Sequence, residues 1–497
     1  MIERSNKKLH DKRMRVVLIN PIASEDQLQW IYKKLFPPVP PTGLCYIAAM
    51  LDASTFDVHI IDQFALHLTN EQVLERIKDI NPSVVGFSCL TSAMNNVKKI
   101  TRCIRLRHKN ILILLGNLHA TLYAHELLEE NVADIIVHGE GEVTCREVLS
   151  LIHEGKRYDA VLGISYRNKG HIYTNVDRNP VRSLDELPYP AWNLLDLQLY
   201  NHAPLLALRE ISLPVFASRG CAFNCTFCAQ NKIFKSMRIR EIHNVIDEIE
   251  YMYTTMGVKS FVFCDSIFPF VGEKGLLFCH EYKARGLHNK IKLTIEMRIN
   301  QVDETLMKEL KEIRVHLIMF GVESGNERLL HAMGKKETVT QIKESITLVK
   351  KAGIMTLGFF MIGMPDETIE SYRETVRFAK ELDCDMVKFN IMIPYPGTAL
   401  YEQYKERISS QCSFEDYSSW DGWLLKKRQI PVITKHFHSD EILTMQQKAM
   451  FSYYMRPQII ARLFMAGAFS LKNFIIGGCF LIYRFVQSYL GKKNMQK

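Results

Sequence analysis

The stretch "SRGCAFNCTFCAQNK", residues 218–232, carries three of the chain's twelve cysteines within eight residues. Cys221, Cys225 and Cys228 have the spacing C-x3-C-x2-C. Thiolates are soft ligands that suit iron–sulfur clusters, zinc or copper. Three of them on one short loop can bind three corners of a cubane cluster and leave the fourth iron open to another ligand. The loop therefore predicts a metal centre with an open coordination position.

A closed zinc site is the main alternative for these cysteines. Structural zinc sites take four ligands, usually in paired C-x2-4-C arrangements. No fourth cysteine lies within thirty residues of the loop, and His243 is the nearest downstream histidine. Zinc, or three incidental cysteines, is therefore the less favoured interpretation.

The loop follows the first of six β-rich runs that alternate with helical patterns, which indicates a partial (β/α)6 barrel. The predicted strands are 213–218, 260–265, 292–298, 315–323, 355–363 and 386–394. In such folds the active-site residues lie at the C-terminal ends of the strands. The unusual polar residues of this half of the chain fall at those ends.

A second alternating series precedes the barrel. The apolar runs 15–20, 56–62, 83–88, 111–116 and 133–138 are joined by helical patterns. Apolar strands linked by helices predict a parallel sheet that is buried on both faces. We expect a doubly wound domain, Rossmann-like or flavodoxin-like, with its ligand at the carboxyl ends of the strands. No G-x-G-x-x-G motif follows the first strand, so the dinucleotide fingerprint is absent.

The sequence predicts four regions along the chain. They are a doubly wound domain at 12–157, a linker with a hairpin turning at Asn168–Gly170 at 158–206, the barrel at 207–405, and a helical, basic and apolar C-terminal region at 406–497.

"CAFNCTFC", after a strand that opens a six-unit barrel, resembles the radical S-adenosylmethionine (SAM) superfamily. The resemblance implies that Cys221, Cys225 and Cys228 hold a [4Fe–4S] cluster whose open iron binds SAM. It further implies that SAM contacts residues at the strand ends, namely Asp265, Arg298, Glu323, Ser324 and Gly363. Four of these residues have a simpler alternative: a rim ion pair for Arg298, helix-capping carboxylates for Asp265 and Glu323, and a turn glycine for Gly363.

Four segments of the N-terminal half resemble the B12-binding domain that precedes many radical SAM barrels: "FPPVPPTGLCYIAAML" (36–51), "FSCLTS" (87–92), "LGNLHATLYAHELL" (115–128) and "DIIVHGEGE" (134–142). The implied cobalamin contacts are Ser88, Leu90, Gly116, Asn117, His119, Thr121, Gly139 and Glu140. The D-x-H-x-x-G motif that supplies a cobalt-ligating histidine is missing. We therefore expect no histidine ligand to cobalt, and we expect His119 to pack near the corrin tail. A domain that has lost cobalamin is the alternative.

Both resemblances together imply a cobalamin-dependent radical SAM enzyme, a C-methyltransferase that acts on an unactivated carbon of a hydrophobic or natural-product small molecule. An electron donor such as flavodoxin or ferredoxin is implied as well. One alternative is a radical cyclase or rearrangement enzyme of the anaerobic magnesium-protoporphyrin monomethyl ester cyclase type. Another is a cobalamin-binding sensor or scaffold with an inactive barrel. No catalytic acid or base stands out beyond the cofactor sites.

The C-terminal region carries most of the net positive charge of the chain. The net charge is +9, and no Asp or Glu follows Glu441. Basic residues beside apolar ones on predicted helices favour either peripheral contact with the inner face of a membrane or a helical cap on the barrel. Long apolar runs between the charges argue against nucleic acid. The scattered cysteines and the polar N-terminus lead us to expect a cytoplasmic protein.

Overall fold

The computed structural model describes residues 13–28, 38–200, 211–413, 416–417 and 430–465. The chain divides into two compact units. The first unit draws on Met1–Tyr200, Arg219–Ala222 and Ala229–Arg240, and the second on Asn201–Ser218, Phe223–Cys228 and Glu241–Lys497.

The first unit is built on a seven-stranded sheet with the order β2-β1-β3-β4-β5-β6-β7. Its strands are β1 (Met14–Asn20), β2 (Phe56–Asp62), β3 (Val84–Ser88), β4 (Leu112–Gly116), β5 (Ile135–Val137), β6 (Ile164–Asn168) and β7 (His171–Thr174). The first five strands are parallel, in the 2-1-3-4-5 order of flavodoxin-like folds. The doubly wound prediction is confirmed.

Helices connect these strands because their apolar residues recur at helical spacing. They are α1 (Thr42–Ala49), α2 (Asn70–Ile80), α3 (Met94–Arg107), α4 (Leu118–Leu122), α5 (Ala124–Glu129) and α6 (Glu142–His153). In α2, Thr69 and Gln72 form a capping box that starts the helix, and Val73 and Ile77 are fully buried. Asn81 ends the helix in the left-handed conformation.

The hairpin of β6 and β7 belongs to this sheet. β6 pairs antiparallel with β5, and β7 pairs antiparallel with β6. Lys169 and Gly170 both have positive φ, 49° and 83°, as a two-residue type I′ turn requires. The hairpin that we assigned to a linker therefore extends the domain that precedes it.

The second unit contains a six-stranded parallel sheet with the order β15-β14-β13-β12-β11-β8. The strands are β8 (Ser212–Val215), β11 (Ser260–Phe263), β12 (Lys292–Met297), β13 (Val315–Glu323), β14 (Met355–Ile362) and β15 (Met386–Ile391). Between β8 and β11 a short strand β9 (Ser218–Arg219) pairs with β10 (Arg238–Ile239). β8 and β15 form the two edges of the six-stranded sheet, as expected for a partial barrel.

The remaining helices lie between the strands of the second half of the chain and after its last strand. They are α7 (Gln230–Ile233), α8 (Ile242–Met256), α9 (Gly272–Ala284), α10 (Glu304–Glu312), α11 (Glu327–Ala332), α12 (Val339–Lys351), α13 (Ile369–Leu382), α14 (Ala399–Gln411), α15 (Ser439–Tyr454) and α16 (Pro457–Met465). α15 packs on the edge strand β15, where the Tyr454 hydroxyl donates to the Val387 carbonyl at 2.7 Å and accepts from the Val387 amide at 3.0 Å.

In the described part of the chain, no helix is long and apolar enough to cross a membrane. The apolar run 473–483 and most of the basic C-terminal residues lie outside the described residues.

An aromatic cluster fills the core beneath α9. Phe278 is fully buried, and its ring centroid lies 5.0 to 6.0 Å from those of Phe263, Phe268 and Phe270. Aromatic pairs at such distances stabilise a core beyond the area that they bury.

We expect Phe278→Ala to lower the stability of the barrel by about 3–5 kcal/mol, because it removes a fully buried ring and leaves a cavity. Leu277→Ala, at the neighbouring position of α9 where the side chain is 48% exposed, is the matched control. Its effect is expected within about 0.5 kcal/mol. Hydrogen exchange of the β11 and β12 peptides measures both changes, and equal losses in the two variants would contradict the prediction.

Candidate functional site

The segment 221–228, which carries the three cysteines, is held near its middle by backbone contacts within the second unit. The Thr226 amide donates to the Met333 carbonyl, and the Thr226 carbonyl accepts from the Leu400 amide, both at 3.0 Å. Phe227 packs against the apolar cluster that contains Met333. Gly334, at φ +76°, lies so close to this segment that a Cβ would meet the Asn224 carbonyl oxygen at 3.2 Å. These contacts hold the segment at a defined place on the barrel.

The three cysteines are accessible. Cys221 and Cys225 are partly exposed and Cys228 is exposed, and none of them is in a disulfide. The Cys228 amide donates to the Cys225 carbonyl at 3.1 Å, which forms a turn between these two residues. The described residues include the three cysteines. Among these residues, no three His, Cys, Asp or Glu side chains lie close enough together to hold a metal ion. The segment fits an iron–sulfur cluster by the chemistry of its donors and by their accessibility.

Asp265, just after β11, is buried and holds the chain that leads into the cysteines. Its carboxylate accepts hydrogen bonds from the Ala217 amide at 3.3 Å, the Ser218 amide, and the Ser218 hydroxyl at 2.6 Å. Burial raises the pKa of Asp265 to about 7, although these hydrogen bonds oppose the shift. Both carboxylate oxygens are thus engaged by the protein, and the geometry favours a structural role over contact with SAM.

Arg298, after β12, pairs with a residue that the sequence analysis missed. Its Nε donates to Glu337 Oε1 at 2.7 Å, its second terminal nitrogen donates to the same oxygen, and both side chains are buried. The guanidinium also lies over the ring of Phe223, 3.7 Å from the ring centroid. The other oxygen, Glu337 Oε2, is buried without a hydrogen-bond partner. Such an atom is costly to bury unless a ligand donates to it.

Glu323 ends β13 in an unusual conformation. Its φ of +65° is rare for a residue with a side chain, and such strain concentrates at functional sites. Lys335 Nζ lies 3.4 Å from Glu323 Oε1 and donates to the Gly321 carbonyl at 2.6 Å. Burial raises the pKa of Glu323, and the Lys335 ammonium opposes this shift. Lys335 is a second residue that sequence reasoning did not identify.

Ser324 and Gly363 shape the turns after their strands. The Ser324 hydroxyl lies 3.0 Å from the Thr375 hydroxyl and accepts from the Asn326 amide at 3.1 Å, so it also fixes the start of α11. Gly363 has φ +97°, which favours glycine, and its amide donates to the Glu367 carboxylate at 2.5 Å. Both residues lie at the strand ends where the sequence placed them.

The predicted cobalamin residues of the first unit cluster at the carboxyl ends of β3, β4 and β5. Asn117 Nδ2 donates to the Ser88 hydroxyl at 3.1 Å, and the Thr121 hydroxyl donates to the Asn117 carbonyl at 3.1 Å. The Gly139 amide lies 3.4 Å from the Thr121 hydroxyl. Gly116 ends β4. These small and polar residues leave the backbone accessible to a ligand.

Leu90 and His119 have contrasting surroundings. Leu90 is 50% exposed, whereas His119 is almost fully buried, with Nδ1 3.1 Å from the Thr91 hydroxyl. Burial, aided by the charge of Lys98, lowers the pKa of His119 to about 4, so the imidazole is neutral at physiological pH. His119 therefore has a packed position with a protein partner.

Glu140 differs from the other predicted cobalamin residues. Its Oε2 accepts from Arg219 at 2.7 Å, and its Oε1 accepts from Arg238. The carboxylate is thus committed to two arginines of the same unit, and direct contact with cobalamin is not favoured by this geometry.

Two families match the chain in the order that the fold displays. Residues 31–149 match the B12 binding domain, and residues 215–379 match the radical SAM superfamily.

Relatives and solved structures extend this match. An uncharacterized methyltransferase of Pyrococcus horikoshii is 32% identical over 446 residues, covering 88% of this chain and 93% of that protein. The anaerobic magnesium-protoporphyrin IX monomethyl ester cyclase of Cereibacter sphaeroides is 28% identical over 457 residues, covering 88% of this chain and 72% of the cyclase. The structure of the radical SAM methyltransferase TsrM of Kitasatospora setae, with cobalamin and a [4Fe–4S] cluster bound, covers 91% of this chain and 90% of TsrM, with a TM-score of 0.66 and 16% identity.

The TsrM likeness confirms the fold, and the identity to the Pyrococcus protein over almost its whole length establishes kinship. The chain belongs to the radical SAM superfamily, in the group whose barrel follows a B12-binding domain.

Proposed function

We propose that the protein is a cobalamin-dependent radical SAM methyltransferase that methylates carbon in a small-molecule substrate. The observation that carries the proposal is the joint presence, in one chain, of a flavodoxin-like sheet matching the B12 binding domain and a barrel whose first strand leads into three cysteines. Similarity to a methyltransferase over 93% of that protein's length supports methylation over other radical reactions.

The three cysteines are the proposed ligands of a [4Fe–4S] cluster. When bound, the cluster and SAM supply a carbon-centred radical that removes hydrogen from substrate, and cobalamin supplies a methyl group. The protein's own contribution is to bind, orient and exclude water.

The charges inside the barrel support SAM as the ligand there. Two cations, Arg298 and Lys335, pair with Glu337 and Glu323. Glu296 adds a third carboxyl group, whose raised pKa a cationic ligand would lower. SAM is a net cation, with a sulfonium and an ammonium group against one carboxylate. Glu337 Oε2, buried without a partner, is an acceptor for such a ligand.

In the first unit, Ser88, Asn117, Thr121 and Gly139 are the proposed cobalamin contacts, together with the accessible backbone at Leu90 and Gly116. His119 is proposed to pack beside the ligand without binding cobalt, because its ring is buried and its Nδ1 contacts Thr91.

A second candidate function has a specific observation in its favour. The Cereibacter cyclase is 28% identical over 88% of this chain, so an oxidative cyclisation is the alternative reaction. The two reactions give different products: methylation adds one CH2 to the substrate, whereas cyclisation removes hydrogens or adds oxygen.

Three finer features of the proposal concern partners. The substrate is proposed to be hydrophobic, and reduction of the cluster is proposed to use flavodoxin or ferredoxin. Peripheral membrane contact through the C-terminal region is proposed from its basic and apolar composition.

Anaerobic purification tests the class of enzyme. We expect about four irons per chain, with sulfide and cobalt, and formation of 5′-deoxyadenosine when SAM and a reductant are added. A Cys221→Ser, Cys225→Ser and Cys228→Ser triple variant should lose the iron and this product while it keeps cobalt. Cys412→Ser, which leaves these three thiols in place, is the control. Zinc as the only metal, or intact cluster without 5′-deoxyadenosine, would overturn the proposal.

His119→Gln tests the absence of a histidine ligand to cobalt. Because the neutral His119 ring is already bonded to Thr91, we expect the electron paramagnetic resonance spectrum of bound cob(II)alamin to be the same in wild type and variant. The exposed His125→Gln on α5 is the control. Loss of a nitrogen splitting in the His119 variant alone would disprove the assignment.

Glu296→Gln tests the charge balance in the barrel. Burial, followed by the nearby Glu323 charge, raises the pKa of Glu296 to about 7 from its ordinary 4.5. A raised carboxyl pKa gives stability that is present below pH 4.5 and is lost as the pH rises through 7. Between these values the variant should gain on wild type by at most about 1.4 kcal/mol per pH unit.

Hydrogen exchange of β12 and β13 peptides at several pH values measures this gain. Glu273→Gln, on the exposed part of α9, controls for loss of a carboxylate elsewhere. Parallel pH profiles for wild type and Glu296→Gln would show that Glu296 does not titrate in this window.

A further inference from the structure

Four buried side chains of the first unit, two arginines and two glutamates, form a continuous network of ion pairs. Arg219 donates to Glu140 Oε2 at 2.7 Å and to Glu142 Oε1 at 2.6 Å. Arg238 donates to both oxygens of Glu140, and one of its nitrogens also donates to the Val181 carbonyl at 2.7 Å. The four side chains are only 6% to 11% exposed. Two cations are thus balanced by two carboxylates away from solvent.

The two arginines flank the cysteines in sequence. Arg219 precedes Cys221 by two residues, and Arg238 follows Cys228 by ten. Strands β9 and β10, which contain these arginines, pair with each other and close the base of the segment 220–237, here called the cysteine loop. Glu140 is bonded to both sides of this base, whereas Glu142 is bonded to one side only.

A glycine allows the base to close so tightly. Gly220 has φ +86°, and a Cβ at this position would lie 2.5 Å from the Ser236 carbonyl oxygen, closer than atoms can approach. The backbones of the two sides are therefore in direct contact next to Cys221.

Two aromatic rings also lie near the buried guanidinium of Arg219. Its guanidinium lies 5.2 Å from the Tyr46 ring centroid and 6.0 Å from that of Phe234. A buried arginine that loses its carboxylate is strongly unfavourable, because the charge has neither water nor a partner.

We propose that Glu140 is a positioning residue that clamps both sides of the cysteine loop to the loop after β5, so that the B12-binding domain fixes the place of Cys221. The inference rests on the proposed function where it concerns the cluster. The clamp itself depends only on side chains that the structure shows. It replaces the expectation that Glu140 contacts cobalamin.

Limited trypsin digestion of the full chain measures how firmly Glu140 holds the cysteine loop, and it requires no cofactor. Lys232 and Lys235 are exposed cleavage sites within the cysteine loop. We expect Glu140→Gln to speed cleavage there at least about 10-fold, because opening of the loop controls its proteolysis. Glu142→Gln, which frees one side only, should give a smaller increase.

Two further variants separate positioning from general loss of stability. Arg238→Lys keeps the charge but cannot bind Glu140 with two nitrogens, and it should also speed cleavage. Asp134→Asn breaks the Arg105–Asp134 ion pair, elsewhere in the same unit, and should leave the cleavage rate unchanged. Cleavage at the wild-type rate in Glu140→Gln, or equal acceleration in Asp134→Asn, would overturn the clamp.

Iron content provides the second readout. After anaerobic reconstitution, Glu140→Gln is expected to hold less than half of the wild-type iron, and Asp134→Asn the wild-type amount. Wild-type chains without iron would contradict the proposed function, while the digestion result would still decide the clamp. Full iron content in Glu140→Gln would show that the clamp does not position the cluster ligands.

Discussion

Both candidate sites depend on one constraint: a charged side chain that is buried needs a partner of opposite charge. In the first unit, Arg219 and Arg238 are held by Glu140, and in the second Arg298 is held by Glu337. Each ion is expensive to remove from water, so each pair keeps its geometry once it is formed. The side chains around the proposed cofactors are thereby fixed before any ligand is present, which is the condition for accurate orientation of reacting groups.

Much of this fold follows from patterns that can be recognised directly in the sequence. Apolar runs joined by helices predicted both sheets, and the spacing of Cys221, Cys225 and Cys228 predicted the site, because these signals are local and periodic. The partners Glu337 and Lys335 could not be found in this way. They lie in the connection between α11 and α12, where no strand end or motif marks them, and only the fold brings them to Arg298 and Glu323.

Two carboxylates of the predicted sites also have partners within the protein. Asp265 and Glu140 were assigned to ligands because they lie at strand ends, where ligands bind. In the structure each is occupied by the protein, Asp265 by the Ser218 segment and Glu140 by two arginines. A strand end concentrates polar residues for two reasons, ligand contact and attachment of the loops that carry ligands. Sequence position alone does not separate them, because the distinguishing partners are distant in sequence.

The contact between Tyr454 and Val387 has a consequence for solubility. An edge strand of an open sheet presents unpaired amide and carbonyl groups that can recruit a strand of another molecule. The single hydroxyl of Tyr454 serves both backbone groups of Val387 on β15, as a neighbouring strand would. Helix α15 therefore protects this edge of the incomplete barrel from edge-to-edge association at Val387.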